Sequence, residues 1–480
     1  MSVEHRVDTS AGGPGTPGAP TPQIHLVVVF TTVALALMMM SIDSTIVATA
    51  LHTLQHGLHT SINWAGWTIT AYSFGFVVML PVTGKLSERF GRRKVFLVSV
   101  VAFTAASLAC GLSVNIFMLI ALRAIQAAGG AGFTPSATGI VVDYFGAARD
   151  RAVSLFGSIF PIGAMIGPIF GGLFVAYWTW RGVFLINVPV GIAIIALTLR
   201  YVPRDRQASA DAARREHLPL GVPGMVLLGV GILAGMLAAG TLGEADDSHG
   251  VLSPVFLVPA LVAIVALVWF FRHISHTAHP FIDPRFIYGR NFGTVNLVNA
   301  LYSGVRSGAI ALLPLYAANR YGIGALSAGT LLIAQGAAAI ILSVLAALAL
   351  RRTGHRPPIY VGSALATLGL VLFALQPIGL SPYWWLAAAA FLIGAGSGAS
   401  NPASRNAGLQ LAPEHSSTLA ALRTMSLQIG QIVTIAIVTA VLTGASDPTL
   451  TQGWAYLAIA AVFLVCLPII HRIPEHRGAW

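Results

Sequence analysis

At 480 residues, 56% hydrophobic and 9% charged, with a mean hydropathy of +0.79, the chain is too apolar for a soluble globular protein. Its formal charge of +11 invites a nucleic-acid partner, but the basic residues are spread by topology and not gathered into a binding face. The sequence carries no nucleotide-binding loop, which leaves direct coupling to ATP without support.

A spanning helix needs about 20 predominantly apolar residues, and roughly fourteen such segments can be laid along the chain. They lie near 26–51, 63–83, 95–113, 115–142, 152–176, 182–200, 219–241, 251–271, 292–318, 325–350, 359–376, 382–404, 416–444 and 453–471. Residues 1–24 are rich in Gly, Pro and Thr and read as a disordered cytoplasmic tail. Polar linkers over 202–218 and 273–291 flank a pair of spans within 219–272, and residues 473–480 form a second cytoplasmic tail. With the N-terminus assigned to the cytoplasm, interior loops and tails hold 22 of the 27 Lys and Arg. Exterior loops hold Arg181 and Arg320, while Arg123, Arg306 and Arg423 remain within spans. That is the positive-inside bias, with both termini inside.

The first span contains one charge, Asp43. A carboxylate at membrane depth costs roughly 2.5–3.5 kcal/mol on insertion scales and points to function. Carriage of a proton is the role that suits it. Beyond it, Trp64, Trp67 and Tyr72 suit an aromatic interface belt or contact with flat cargo. His52, His56 and His59 read as solvated residues at the outer mouth, and no metal site or cofactor is expected. Cys110 and Cys466 lie in apolar spans, so no disulfide is expected.

An internal duplication is visible at an offset of 263 residues. It carries Arg89, Gly91 and Arg93 onto Arg352, Gly354 and Arg356, and Gly167 onto Gly430. Residues 25–201 and 292–472 are thereby predicted to be two six-helix repeats, a transporter signature with the cargo site near their interface. The same offset sets Asp43 opposite Arg306. Arg123 lies at similar depth, so either arginine could partner Asp43 and alter its hold on a proton.

Five motifs carry a resemblance. The loop Gly84-Lys85-Leu86-Ser87-Glu88-Arg89-Phe90-Gly91-Arg92-Arg93-Lys94 is a tight cationic turn, with Asp143 at the inner end of a later span. Gly163, Gly167 and Gly171 fall four apart, giving a helix face without side chains beside Pro168 and Gly172. Leu122-Arg123-Ala124-Ile125-Gln126 and Ile42-Asp43-Ser44-Thr45 complete the set, together with Phe184 through Asn187 to Pro189. These resemble the signature loop, the antiporter motif and the helix motifs of the major facilitator superfamily, in its branch of fourteen-helix drug:proton antiporters. Ala48 and His52 depart from that branch's first-helix motif, where Asn and Pro are usual.

The resemblance implies an all-α polytopic membrane protein with the major facilitator fold, two six-helix repeats and two inserted helices. It implies that Glu88, Arg89, Arg92, Arg93 and Asp143 latch the two halves, that Asp43 and Arg123 couple to protons, and that Gly163 to Gly172 form the antiporter motif. Asp43, Arg306, Trp67 and Tyr72 are expected to line the cargo cavity. The expected partners are a small-molecule substrate, protons and the lipid bilayer of a bacterial cell membrane, with no nucleic acid and with a functional monomer. The predicted function is proton-coupled export of drugs or natural products; translocation of a lipid or lipid conjugate is the alternative.

Overall fold

The computed structural model describes residues 26–475, apart from 61, 206–220, 242–252, 279, 378, 380, 444 and 446. The predicted N-terminal tail, most of the 202–218 linker and residues 476–480 lie outside the described residues. Among the described residues there is no strand, and ten helices are long and apolar enough to cross a membrane.

The first half contains α1 (Leu26–Gly57), α2 (Ile62–Phe90), α3 (Arg92–Gly111), α4 (Ile116–Gly130), α5 (Phe133–Tyr144), α6 (Arg149–Tyr177), α7 (Gly182–Leu185) and α8 (Asn187–Tyr201). Then come α9 (Val222–Thr241) and α10 (Pro254–His276), which pack on each other, and the short α11 (Pro284–Tyr288). The second half contains α12 (Phe292–Val298), a π-helical segment (Asn299–Val305), α13 (Arg306–Ala311), α14 (Leu313–Tyr321), α15 (Ala325–Thr353), α16 (Arg356–Ala374), α17 (Pro382–Leu409), α18 (Ser416–Thr443) and α19 (Pro448–Ile470).

Hydrophobic burial follows this division in part, since the first-half cluster also takes in Leu409, Leu419 and Leu422 of the second half. One cluster of buried side chains gathers Val33, Phe103, Phe133 and Phe156 in the first half, while another gathers Tyr302, Tyr316, Phe373 and Phe463 in the second. α10 turns Leu261, Ile264, Val268 and Trp269 outward, as suits a helix facing hydrocarbon. A break between α4 and α5 falls at Gly130-Ala131-Gly132, where a Cβ on Gly129 would stand 2.7 Å from the Phe103 backbone nitrogen. Thr83 Oγ1 donates to the Ala131 carbonyl at the break, so that group is satisfied where no water reaches it.

Glycine sets two equivalent helix crossings. A Cβ on Gly163 would come within 2.5 Å of the Ser41 side chain, and one on Gly167 would collide with Thr45 Oγ1, so α6 lies directly on α1. In the second half a Cβ on Gly304 would stand 2.8 Å from Gly430 Cα, and one on Gly308 2.7 Å from Thr434 Cβ. Gly304 and Gly308 lie 263 residues after Ser41 and Thr45, while their partners lie one turn further along than Gly163 and Gly167 do. Gly171 is also buried, whereas Gly172 faces open space, so the small face predicted over 163–172 ends before Gly172.

One expected span ends later than predicted. The segment 382–404 continues as α17 to Leu409, which brings Arg405 inside the helix with only 6% of its surface exposed. Arg405 had been expected in an interior loop. The helix runs on because Asn406 donates to the Pro402 carbonyl and to Ser154 Oγ of the other half, which pins the last turn.

Candidate functional site

α1 brings Asp43 into the interior of the first half, among α3, α4 and α8, where it is fully buried. Its Oδ2 accepts from Arg123 Nη1 at 2.8 Å. Its Oδ1 accepts from Gln126 Nε2 at 2.9 Å and from Asn187 Nδ2 at 2.8 Å. Gln126 is held in turn by Arg123 Nη1 donating to its Oε1 at 2.7 Å, and it donates to Ser107 Oγ at 2.6 Å. Tyr72 closes the cluster: its ring lies 4.1 Å from the Arg123 guanidinium carbon, with Phe184 at 5.5 Å.

The local sequence explains this assembly. Arg123 and Gln126 are three residues apart on α4 and share a face, so one helix supplies both a cation and an amide to the same carboxylate. Asn187 opens α8 directly after the short α7. All three contacts to Asp43 are donated to it. Oδ1 accepts twice and Oδ2 once, so a proton on Oδ2 would take its second lone pair and remove the negative charge that holds Arg123. Protonation of Asp43 and loosening of its pair with Arg123 are thereby linked.

Of the two arginines open as partners for Asp43, the structure brings up Arg123. Arg306, also buried, donates instead to Ser400 Oγ at 3.2 Å and Ser397 Oγ at 3.1 Å on α17. It directly follows the π-helical segment, a departure from α geometry of the kind found at functional sites. Asp43 faces its own half and not the interface between halves, so cargo would reach it only after the cradle opens. Tyr72 is buried over Arg123, while Trp67 is half-buried near the N-terminal end of α2, its ring centroid 6.5 Å from that of Trp64.

The stretch predicted as a loop over 84–94 is mostly helix, since α2 runs on to Phe90 and α3 starts at Arg92. The last turns of α2 close the end of the bundle that carries the basic loops. Glu88 Oε1 accepts from the Thr418 backbone N–H at 2.8 Å, in the first turn of α18, and Oε2 meets His415 Nδ1 at 3.1 Å. A carboxylate there satisfies an otherwise orphaned helix donor and complements the helix dipole. Gly84 permits the crossing, since its Cβ would stand 3.0 Å from Ala421 Cβ. Arg89 sits against the Phe90 ring. Arg92 pairs with Asp143 and donates to the Gly139 carbonyl at 2.6 Å. Arg93 donates to the Leu199 carbonyl at the end of α8, while Asp205 accepts the Arg93 and Lys94 backbone N–H groups. Arg92, Arg93 and Asp143 were implied as parts of a latch between the halves, but these contacts stay within the first half. Gly91 has φ 100°, and any Cβ there would strike the Asp205 carboxylate. In the second half Glu475 accepts from the His355 and Arg356 N–H groups in the same way, beside Gly354 at φ 75°.

Hydrogen bonds and ion pairs join the halves at this end: Glu88 to α18 and to His415, Ser87 to Ser417 at 3.3 Å, Asn406 to Ser154, and Asp150 to Arg351 at 4.0 Å. Cysteines at 87 and 417, in a chain with Cys110 and Cys466 replaced by Ala, are expected to form a disulfide under mild oxidation. Transport by that variant is expected to fall at least about tenfold and to recover on reduction, as a transition locked at one end requires. Free transport by the fully cross-linked protein would show that this end does not open.

Sequence reasoning missed Gln126, Asn187 and Ser107 as members of the site. The three-residue step from Arg123 to Gln126 was a usable signal; the approach of α3 and α8 was not readable from spacing.

Comparison with known proteins agrees with the fold. The family model of the Major Facilitator Superfamily matches residues 33–228, 224–435 and 295–478. The chain is 30% identical over 413 residues to the multidrug resistance protein B homolog of Mycobacterium tuberculosis, covering 85% of this chain and 75% of that one. It is 29% identical over 462 residues to the methylenomycin A resistance protein of Streptomyces coelicolor, covering 94% and 93%. Among solved structures, the proton:xylose symporter XylE superposes with a TM-score of 0.65 at 12% identity, over 95% of this chain and 97% of that one. The buried acid–arginine pair, the glycine crossings and the latched loop therefore belong to a transporter and not to an enzyme, and the chain is a member of the major facilitator superfamily.

Proposed function

We propose that the chain is a proton-coupled exporter of amphipathic drugs or natural products, working by alternating access in the cell membrane. The observation that carries this reading is the fully buried Asp43, held by one cation and two amides, whose charge a proton on Oδ2 would cancel. The names of the relatives, multidrug resistance and methylenomycin A resistance, agree with export of such cargo.

In this reading the basic-loop end is cytoplasmic, both termini lie there, and fourteen helices cross the membrane as two six-helix repeats with α9 and α10 inserted. The corresponding crossings of α1 on α6 and of the π-helical segment on α18, one turn apart in register, support the repeat. The protomer works alone. With the cytoplasmic end latched, Asp43 takes a proton from outside as one donor swings away. Release of the latch then lets the proton leave inside, and cargo binds while Asp43 is ionised. One carboxylate sets one proton per cycle, and for a neutral cargo the membrane potential adds about 2.3 kcal/mol per 100 mV.

Reconstitution in liposomes with an enclosed pH dye tests the proposal. A panel of amphipathic drugs is expected to include cargoes that release protons as they are taken up. Uptake of cargo without proton movement would exclude antiport, and movement of a fluorescent phospholipid in place of every drug would assign a lipid translocator.

A further inference from the structure

The second half holds three buried arginines and, among the described residues, no carboxylate within ion-pair distance of any of them: Arg306, Arg405 and Arg423 are 3%, 6% and 8% exposed. They form one electrostatic group, since Arg405 and Arg306 both lie near enough to repel the charge on Arg423. Two are joined through a single face of α17. Arg306 donates to Ser397, Asn401 donates to Ser397, and Arg423 donates to Asn401 Oδ1 at 2.9 Å. That chain ends in excess donors at both sides. The Nε atoms of Arg405 and Arg423 are buried with no hydrogen-bond partner.

Buried charges are paired in stable interiors, and guanidinium is the group that matches a planar oxyanion with two parallel hydrogen bonds. A cavity of about 20 Å³ lies between α12, α17 and α18, lined by Arg405 and Arg423. That is room for one water. Its walls are latch elements: Asn406, next to Arg405, binds Ser154, and Thr418, one turn before Arg423, is held by Glu88. Opening of that end would widen the cavity and expose it on the side from which cargo loads.

We propose that Arg405 and Arg423, backed by Arg306, form the subsite for an acidic group of the cargo, so that the preferred cargo is an amphipathic carboxylate or similar monoanion. The assignment rests on the exporter reading and deepens it. Proton entry and monoanion exit each move positive charge inward, so one cycle carries two charges per proton, against one for a neutral cargo.

The test compares dansylphenylalanine with its methyl ester, by binding to the full chain in phosphatidylcholine nanodiscs and by current and proton flux in liposomes. The acid is expected to bind at least about tenfold tighter than the ester, and its transport to carry twice as much charge per proton. Arg405→Gln and Arg423→Gln are expected to weaken the acid about tenfold and leave the ester within about twofold. Arg405→Lys is expected to recover part of the loss. An acid that binds no better than its ester to the wild-type protein overturns the subsite, whether or not the variants fold. Displacement of the acid by cardiolipin would assign the cluster to a lipid headgroup and overturn it as a cargo site. Tight acid binding without proton flux would defeat antiport and leave the subsite standing; proton flux with equal binding of acid and ester would do the reverse.

Discussion

Replacing Asp43 by Asn is expected to abolish accumulation driven by the proton gradient while the protein still folds and inserts. The substitution keeps the shape of the side chain. An amide can still accept at its oxygen from Gln126 and Asn187, the two groups on Oδ1. It cannot neutralise Arg123 or bind and release a proton. For a neutral cargo at 100 mV, the lost driving force of about 2.3 kcal/mol corresponds to a concentration ratio on the order of fifty-fold. Facilitated exchange of labelled for unlabelled cargo, which needs no proton, is expected to survive. Measuring both in the same liposome preparation separates a coupling defect from a folding defect. If uphill transport persists in Asp43→Asn, this carboxylate is not the coupling site.

Arg123→Leu breaks the same pair from the other side, and its first expected effect is on stability. Asp43→Asn strands the cation in turn and is expected to melt lower as well, while still inserting. The pair is almost wholly buried, at 1% and 0% side-chain exposure. Removing one partner from such a pair costs about 3–5 kcal/mol, because the other charge is left uncompensated. Here the stranded group is Asp43, which keeps only two neutral donors. The single variant is therefore expected to melt at a clearly lower temperature in detergent than the wild type. Asp43→Asn combined with Arg123→Leu removes both charges and is expected to recover most of that loss, though not coupled transport. A double variant no more stable than Arg123→Leu alone would place the defect in packing against Tyr72 and Phe184, not in the unpaired acid.

Much of this was legible in the sequence, and the limits have physical causes. Helix positions follow from runs of about 20 apolar residues, so even the close pair 95–113 and 115–142 emerges, the first as α3 and the second as α4 and α5 together, with a turn around Val114 between them. Glu88 and Asp143 stand out because charges at span ends are few, and both meet partners at the latched end. Periodicity does not say which helices approach in space. Two arginines at similar depth were equally available to Asp43, and only the packing of α4 against α2 and α3, which brings Arg123 to Asp43, separates Arg123 from Arg306. Arg405 was assigned to a loop because a hydropathy boundary stops at the first charge. The helix continues because its last turn is fixed by Asn406, a contact 252 residues away in the chain. That correction changes the electrostatics of the second half from two buried arginines to three.

Proton release on cargo binding is the measurement closest to the central claim. Purified protein in weakly buffered detergent, with a pH-sensitive dye, receives a saturating amount of a transported cargo. The account predicts release of up to one proton per protomer, greatest where Asp43 is most protonated before cargo arrives, and none from Asp43→Asn at the same cargo occupancy. Equal proton release from the wild type and from Asp43→Asn would contradict it.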